Sequence, residues 1–245
     1  MPAPRDLRCL LLDADGNLFP SEAPAFAASA DVTNRFLASL GVRATYTPER
    51  LLATATGQTF RTTAADLARA HGVTVAPGVL DDWVAEEKKV VSAYLGRVLR
   101  PDPGVLGPLR RLAGRFRLAA VSSSALSRLD ECFRAAGLSD LIPPEARFSA
   151  EDSLPAPAGK PDPAIYRYAA EQVGVPAGRA LAVEDSLPGA RSAVAAGIVT
   201  VGNLTFVPPQ DRPERRRRLA EAGVAEVVES WDELAAMLLG LDPEG

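Results

Sequence analysis

The stretch Leu7–Glu22 reads LRCLLLDADGNLFPSE, a short apolar run that ends in two carboxylates, Asp13 and Asp15, with Gly16 directly after them. A short apolar run between polar residues is typical of a strand that is buried on both faces of a parallel sheet. Taken alone, a DxDG segment suits a turn or a Ca2+-binding loop as well as it suits a catalytic site. The groups that the rest of the chain places beside these carboxylates decide between those readings.

The composition is that of an ordinary globular protein and bounds the possible functions. The chain has 245 residues, 47% of them apolar and 24% charged, which is enough for one large core or for a core with an accessory domain. A net charge of −4 gives no electrostatic reason to expect binding to nucleic acid or to an acidic membrane surface. No apolar segment approaches the roughly 20 residues of a membrane span, and no secretory signal is recognisable. We therefore expect a cytoplasmic protein.

Two kinds of hydrophobic pattern divide the chain. Residues 22–99 show helical spacing throughout, with no strand pattern between them. After the turn-rich segment Arg100–Gly104, apolar strands alternate with helices to the end of the sequence. Alternation of this kind predicts an α/β fold with a parallel sheet and right-handed crossovers, and the strand at Leu7 must join the same sheet. We therefore predict a core of residues 1–20 and 100–245, interrupted by an all-helical domain of residues 21–99.

Polar residues follow the predicted strands at the edge where ligands bind in open parallel sheets. Ser122 and Ser123 follow one strand, Glu184 and Asp185 follow another, and Lys160 stands between them in Gly159–Pro163, immediately before a helix. Each segment has a plain structural alternative. The serines would suit a helix N-cap, GKPDP a proline-stiffened turn, and Glu184-Asp185-Ser186 the charged and capped start of a helix.

Together these groups indicate a kind of site that none of them indicates alone. Carboxylates gather in a partly dry site only when a cation neutralises them, and hard oxygen ligands suit Mg2+. Mg2+ takes few protein ligands and leaves room for water and a phosphate oxygen. The ammonium group of Lys160 and the hydroxyl group of Ser122 would then face the oxygens of a phosphoryl group. The sequence therefore predicts a Mg2+ site for phosphoryl transfer.

Four segments in this order resemble the motifs of the haloacid dehalogenase (HAD) superfamily of hydrolases. They are Asp13–Asn17 (DADGN), Val121–Ser124 (VSSS), Gly159–Pro163 (GKPDP) and Val183–Gly197 (VEDSLPGARSAVAAG). The resemblance spans most of the chain and implies a Rossmann-like, three-layer core. The helical insertion after the first motif is similar to the cap of the phosphoglycolate phosphatase and β-phosphoglucomutase-like branch.

The resemblance implies a role for each motif residue. Asp13 would attack phosphorus and form an aspartyl-phosphate, and Asp15 would act as the general acid and base. Ser122 and Lys160 would complete the catalytic set and bind phosphate, with Gly16 and Ser123 as further phosphate contacts. The implied metal site consists of Asp13, Asp15 through its backbone carbonyl, and Asp185, with Glu184 as a ligand or a neighbour of the ligands.

Within the family, Asp15 favours phosphate over halide chemistry, because a halide leaving group needs no proton and the dehalogenase branch lacks this acid.

Two residues depart from the family's pattern, and two segments lie outside its core motifs. Asn17 replaces the usual threonine, and we expect it to make local bonds between side chain and backbone at the entrance to the cap, where substrate choice would be decided. Pro20 replaces a usual acid and stiffens the same entrance. A proline-rich lead-in, residues 153–158, precedes Lys160 and has no assigned role. In the cap, Gln58 and Arg61 lie in a segment similar to the substrate-reading loop of relatives, although a simple connection between helices would explain it too.

The remaining conspicuous residues have plain readings. Cys9 and Cys132 are predicted to be buried free thiols, and His71 to end a helix. The run Arg215–Arg218 is predicted to form a solvated helix face rather than an anion site.

The leading hypothesis is thus a Mg2+-dependent phosphatase, a HAD-family phosphoric monoester hydrolase that acts on a small phosphorylated metabolite. The alternative is a sugar phosphomutase of the same fold. Mutases of this branch typically carry a histidine in the first cap helix, and residues 22–30 contain none. A binding or regulatory protein that kept the fold without catalysis is the third reading.

Overall fold

The computed structural model describes residues 6–55 and 59–240. These residues form two compact units, one containing residues 6–20 and 100–240 and the other residues 21–55 and 59–99. The first unit contains a parallel sheet with helices, and the second unit is entirely helical. The first unit has the predicted Rossmann-like α/β fold.

The helices and strands lie close to the bounds that the sequence predicts. The strands are β1 (Cys9–Leu12), β2 (Arg117–Ser122), β3 (Arg147–Ser149), β4 (Ala180–Glu184), β5 (Val199–Asn203) and β6 (Glu226–Val228). The helices of the helical unit are α1 (Glu22–Ser39), α2 (Pro48–Ala55), α3 (Phe60–Ala70) and α4 (Pro77–Val98). Those of the core unit are α5 (Pro103–Ala113), α6 (Leu126–Ala135), α7 (Ala164–Val173), α8 (Leu187–Ala195), α9 (Arg212–Glu221) and α10 (Trp231–Leu239).

The sheet runs in the order β3-β2-β1-β4-β5-β6 with every pair parallel. Strand β1 lies near the middle, where Leu12 pairs in register with Ala120 of β2 and Val183 of β4. Since all strands point the same way, the residues that follow β1, β2 and β4 lie at one edge of the sheet. This topology is what places the motif residues together.

The core packs on alternate residues of the central strands. Cys9 and Leu11 of β1 face a cluster that includes Ile165 and Tyr166 of α7. All four residues of β1 are buried, as expected for a strand covered on both sides. Burial of this much apolar surface makes β1 a rigid base for the carboxylates that follow it.

The helical unit has a core of its own, around Phe36 and Leu37 of α1. Trp83 of α4 packs edge-on against Phe36, with ring centroids 5.8 Å apart, in the core position that its helical spacing predicts. His71 follows the last residue of α3 and contacts the Tyr46 hydroxyl group through Nε2 at 3.1 Å, which confirms the predicted helix end. Among the described residues, no helix combines the length and apolar character that a membrane crossing requires.

Candidate active site

The loop after β1 is anchored by hydrogen bonds that fix the two carboxylates. The Asp13 N–H group donates to the Val183 carbonyl group at 3.0 Å, which continues the sheet one residue beyond β1. Gly16 has a φ of +77°, a left-handed conformation that favours glycine, and its N–H group donates to the Phe19 carbonyl group at 3.0 Å. The chain therefore turns sharply after Asp15, and Asp13 lies 7% exposed at the end of the strand.

Asp13 is held by the ammonium group of Lys160. Lys160 Nζ donates to Asp13 Oδ1 at 2.5 Å, to Glu184 Oε1 at 2.7 Å and to the Val121 carbonyl oxygen at 2.9 Å, so all three of its protons are used. Burial alone would lower the pKa of Lys160, but the carboxylates of Asp13 and Glu184 outweigh it and raise this pKa. Lys160 therefore stays charged, and its position is set from three sides.

Glu184 is fully buried and serves as the second partner of this lysine. Its Oε1 atom also accepts from the Tyr166 hydroxyl group at 2.5 Å, and its Oε2 atom accepts from Ser186 Oγ at 3.3 Å. Burial and the adjacent Glu184 raise the pKa of Tyr166, so the phenol keeps its proton and donates it. Gly189 leaves the space for this carboxylate, since a Cβ there would come within 2.0 Å of Glu184 Oε2.

Asp15 has different surroundings from Asp13. Its Oδ2 atom accepts from Ser124 Oγ at 2.8 Å and from Ser122 Oγ at 3.4 Å, and Arg128 Nη2 lies 3.6 Å from its Oδ1 atom. The side chain of Asp15 is 28% exposed. The two carboxylates of the DxDG segment thus have different surroundings: Asp13 is buried against a lysine, and Asp15 faces hydroxyl groups and solvent.

A cation fits the acidic cluster formed by Asp13, Glu184 and Asp185. The closest ligand atoms of these three carboxylates lie within 4.8 Å of one another. Burial raises the pKa of Asp13 well above its usual range, and the charges of Glu184 and Asp185 add to this effect while Lys160 opposes it. Three carboxylates against two cations, the Lys160 ammonium group and the Arg215 guanidinium group 3.6 Å from Asp185 Oδ2, leave an excess of negative charge that a divalent cation would neutralise. Oxygen ligands of this kind suit Mg2+.

Asn17 lies in the interior of the core unit, fully buried. Its side-chain N–H group donates to the Asp13 carbonyl group at 2.8 Å and to the Val183 carbonyl group at 3.3 Å, which confirms the predicted local bond. Its Oδ1 atom accepts from Asn203 Nδ2 at 2.8 Å, and Trp231 Nε1 donates to its backbone carbonyl group at 3.0 Å. The expectation that Asn17 stands at the entrance to the cap is therefore wrong. An amide side chain can bridge several backbone groups at once, and this one ties the β1 loop to β4, β5 and α10.

The structure brings most of the predicted site residues together. Asp13, Lys160, Glu184 and Asp185 form one cluster, Ser122 reaches Asp15, and Gly16 lies against the Asp185 carboxylate. Ser123 is exposed, and its hydroxyl oxygen accepts from the Lys160 backbone N–H group at 3.4 Å.

Of the two predicted substrate-reading residues, the structure describes Arg61. Arg61 is exposed and forms an ion pair with Asp81. Gln58 lies outside the described residues.

The run Arg215–Arg218 does not form the single solvated helix face that its sequence predicts. Arg217 pairs with Glu214 and Glu221 on an exposed face, as predicted. Arg215 does not belong to that face, since its Nη1 atom donates to the Asp185 carbonyl group at 2.6 Å. Helix α9 starts at Arg212, and its rotation directs this one arginine back to the site.

Three further residues at the site were missed by sequence reasoning: Ser124, Arg128 and Tyr166. Ser124 belongs to the predicted VSSS motif, so its position was the available signal. Tyr166 sits in the first turn of α7, three residues after the GKPDP segment, where a helix would direct it toward Lys160. The chain has 27 lysines and arginines, and only Lys88, Lys89 and Lys160 are lysines, so Arg128 is one of 24 arginines. Nothing in the sequence distinguishes it from the other arginines.

The lead-in to Lys160 contributes to the same edge of the sheet. Asp152 Oδ2 accepts from the N–H group of Leu126, the first residue of α6, at 2.7 Å, a cap supplied from outside the helix. Within residues 153–158, Ser153 Oγ accepts from the Ser149 N–H group at 2.9 Å, and the Ala158 N–H group donates to the Ala150 carbonyl group at 3.2 Å. This segment thus closes a loop on β3.

The family-model description "haloacid dehalogenase-like hydrolase" matches residues 7–197, more than half of the chain. The chain belongs to this family of hydrolases. Membership confirms the resemblance and the predicted enzyme class, a hydrolase of the haloacid dehalogenase family.

Individual relatives agree with this assignment. A haloacid dehalogenase-like hydrolase domain-containing protein from Arabidopsis thaliana is 36% identical over 132 residues, which cover 51% of this chain and 39% of that relative. The match therefore spans well under half of the curated relative's length.

Solved structures resemble nearly the whole chain. A HAD family hydrolase from Deinococcus radiodurans, solved with bound phosphate and sodium, is 30% identical with a TM-score of 0.67 and covers 96% of each chain. A putative β-phosphoglucomutase from Thermotoga maritima is 25% identical with a TM-score of 0.69, covering 96% of this chain and 100% of that one.

Proposed function

We propose that this protein is a Mg2+-dependent phosphatase that hydrolyses a small phosphorylated metabolite through an aspartyl-phosphate on Asp13. One observation carries the proposal: a buried carboxylate at the end of the central strand, held by Lys160 and grouped with Asp185 and Glu184. A nucleophile needs this fixed orientation and a neighbouring positive charge for the incoming phosphoryl oxygens. The phosphate bound to the Deinococcus relative supports the same class of ligand.

The reaction would divide between the two carboxylates. In the first step an oxygen of Asp13 attacks phosphorus, the bond from phosphorus to the ester oxygen breaks, and Asp15 gives its proton to that leaving oxygen. In the second step Asp15 takes a proton from water as this water attacks phosphorus, and the bond from phosphorus to Asp13 breaks. Lys160, whose three protons have acceptors within the protein, would act on the non-bridging oxygens through its positive charge, and Ser122 Oγ would donate a hydrogen bond to one of them. Gly16 and Ser123 would be further phosphate contacts, as the resemblance implies.

Asp13, Asp185 and the Asp15 backbone carbonyl group are the proposed ligands of Mg2+. When bound, the cation would neutralise negative charge on the phosphoryl group and on the carboxylates around it. For Glu184 we favour a positioning role over ligation, because both of its oxygens accept hydrogen bonds within the protein. It would keep Lys160 charged and directed at Asp13.

The test is hydrolysis of p-nitrophenyl phosphate with and without Mg2+, by wild type and by Asp13→Asn. We expect hydrolysis only with Mg2+ and a loss of roughly 10³-fold or more in kcat for Asp13→Asn, because the amide cannot form the covalent intermediate. Asp140→Asn is the matched control, since Asp140 is an exposed acid with no role in the site, and it should keep wild-type activity. Equal activity in wild type and Asp13→Asn would refute the assignment of the nucleophile.

A sugar phosphomutase remains the second candidate, and the similarity to the putative β-phosphoglucomutase of Thermotoga maritima is the observation in its favour. Against it, α1 has no histidine, and the only histidine, His71, contacts Tyr46 at the end of α3. A mutase would need a bisphosphate activator and would release little free phosphate. Measuring phosphate release from a panel of phosphorylated metabolites, with and without a sugar bisphosphate, separates the two activities.

The third reading is a protein that binds a phosphorylated ligand without turnover. Every residue that the predicted chemistry requires is present, which favours catalysis. Binding of phosphorylated metabolites without phosphate release, in the presence of Mg2+, would support this reading over both enzymes.

A further inference from the structure

Helix α9 carries four consecutive arginines, and their contacts differ sharply. Arg217 is 59% exposed and pairs with Glu214 and Glu221 on its own helix. Arg216 pairs with Glu229 and donates to the Val227 carbonyl group at 2.9 Å. Arg215 is 33% exposed and reaches out of the helix to Asp185 instead. One arginine of the run is therefore built into the candidate metal site.

The contact of Arg215 has a definite geometry. Its Nη1 atom lies 2.6 Å from the Asp185 backbone carbonyl oxygen and 3.6 Å from the carboxylate atom Oδ2. The first distance is that of a strong, charge-assisted hydrogen bond, and the second is too long for one. The principal action of Arg215 is thus on the backbone of the loop that carries Asp185.

The Asp185 side chain is confined on a second side by Gly16. A Cβ at that position would lie 2.6 Å from Asp185 Oδ2, so the β1 loop and the carboxylate are in close approach. The side chain of Asp185 is only 12% exposed. A small rotation of the loop after β4 would therefore either collide with the Gly16 turn or withdraw the carboxylate from Asp13 and Glu184.

We infer that Arg215 is a positioning residue for the cation site: it fixes the backbone of the loop after β4 and so holds the Asp185 carboxylate beside Asp13, where the two would bind Mg2+. This inference rests on the proposed function, in which Asp185 is a ligand of the cation. It assigns to α9, far from the sequence motifs, a part in the assembly of the site. Groups that support metal ligands commonly change metal affinity by about 10- to 100-fold when they are removed.

A purely electrostatic role for Arg215 makes the opposite prediction. A guanidinium group this close to a ligand carboxylate repels a cation, so its removal would strengthen Mg2+ binding if charge alone mattered. Positioning and repulsion therefore differ in the sign of the change, and a binding measurement separates them.

The experiment measures the affinity for Mg2+ without substrate, from the rise in Tm during a titration with MgCl2 against NaCl of equal ionic strength. We expect Arg215→Ala to weaken Mg2+ binding by about 10- to 100-fold. Arg215→Lys keeps the charge and one donor and should lose less affinity. Arg217→Ala, which removes the same charge two residues away on the exposed face, should bind within about twofold of wild type.

Each outcome bears on a separate claim. Unchanged or tighter binding by Arg215→Ala, or an equal loss in Arg217→Ala, would overturn the positioning role while leaving the phosphatase proposal intact. If Arg215→Ala does not fold, Arg215→Met decides, since it keeps most of the side-chain length but has no donor for the Asp185 carbonyl group, and wild-type or tighter Mg2+ binding in that variant would overturn the positioning role. Wild type that shows no Mg2+-dependent rise in Tm would instead refute the cation site itself, and with it the Mg2+ dependence of the proposed function.

Discussion

The core unit of this protein buries a cluster of charged residues in addition to its surface ion pairs, and the helical unit gives a contrast. In the core unit, the side chains of Asp13, Lys160 and Glu184 are buried, and Lys160 donates its three protons to these two carboxylates and to the Val121 carbonyl group. In the helical unit, the ion pairs lie on the surface: Arg61 with Asp81, and Arg35 with Asp31 and Glu86.

The difference has an energetic meaning. Surface ion pairs contribute about 0–1 kcal/mol and leave their side chains available to other partners. A buried charge cluster contributes little net stability when it is complete, but loss of one member leaves an uncompensated charge and costs about 3–5 kcal/mol. Buried charges of this kind are retained where fixed geometry matters, which is expected for chemistry. Exposed charges suit a role in selecting a ligand.

The largest effect should follow from breaking the core cluster at its cation. Lys160→Met would leave Asp13 and Glu184 buried without their partner, so we expect a loss of about 3–5 kcal/mol in the free energy of unfolding and no measurable turnover. Urea unfolding and hydrolysis of p-nitrophenyl phosphate measure the two effects. Lys89→Met, at an exposed position of the helical unit, is the control and should leave both quantities within experimental error. Wild-type stability in Lys160→Met would contradict the buried ion cluster.

A smaller effect is expected from the amide pair beneath the nucleophile loop. Asn17→Ala removes a hydrogen-bond partner from the buried Asn203 amide and from two backbone carbonyl groups. It should lower the free energy of unfolding by about 1–3 kcal/mol. Asn203→Ala should also destabilise, and the double variant should lose less than the sum because the two side chains share one hydrogen bond. Unfolding free energies of the four proteins give this coupling directly. Strict additivity would show that the two asparagines act independently.

The smallest effect on the free energy of unfolding should occur in the helical unit, where Arg61 and Asp81 form an exposed ion pair. Both Arg61→Ala and Asp81→Ala break the same exposed pair and should change the free energy of unfolding by less than about 1 kcal/mol. If Arg61 reads an anionic group of the substrate, consistent with the resemblance of its segment to the substrate-reading loop of relatives, only Arg61→Ala raises KM, with kcat little changed. Steady-state kinetics on the best metabolite from the panel measure this. Equal kinetic effects of both variants would remove Arg61 from substrate recognition.

Local patterns were sufficient for the secondary structure and for most of the site. The apolar run before Asp13, the glycines that stop helices, and the alternation after Gly104 predict elements whose bounds differ from the observed ones by a few residues. The site was predictable for a related reason. In a parallel sheet, residues that follow neighbouring strands must meet at one edge, so Ser122 and Asp185 could be placed beside Asp13 without coordinates.

Long-range partners were not predictable, and Arg215 and Asn17 show why. Arg215 stands in a run of four similar residues, and only the rotation of α9 against the sheet decides which of them reaches Asp185. Asn17 depends on Asn203 and Trp231, which are 186 and 214 residues away in the chain. No local pattern in the sequence predicts such a long-range hydrogen bond.

The sequence by itself determined the class of this protein, because its chemistry lies in four motifs that stand in order at predicted strand ends and helix starts. It placed two carboxylates one residue apart at Asp13 and Asp15. Only the tertiary structure decided that they have different environments, with Asp13 buried against Lys160 and Asp15 facing the hydroxyl groups of Ser122 and Ser124. Strand alternation alone would send residues i and i+2 to the same side. The physical reason for the difference is that β1 ends at Leu12, so the loop backbone directs each carboxylate and its partners belong to other parts of the chain.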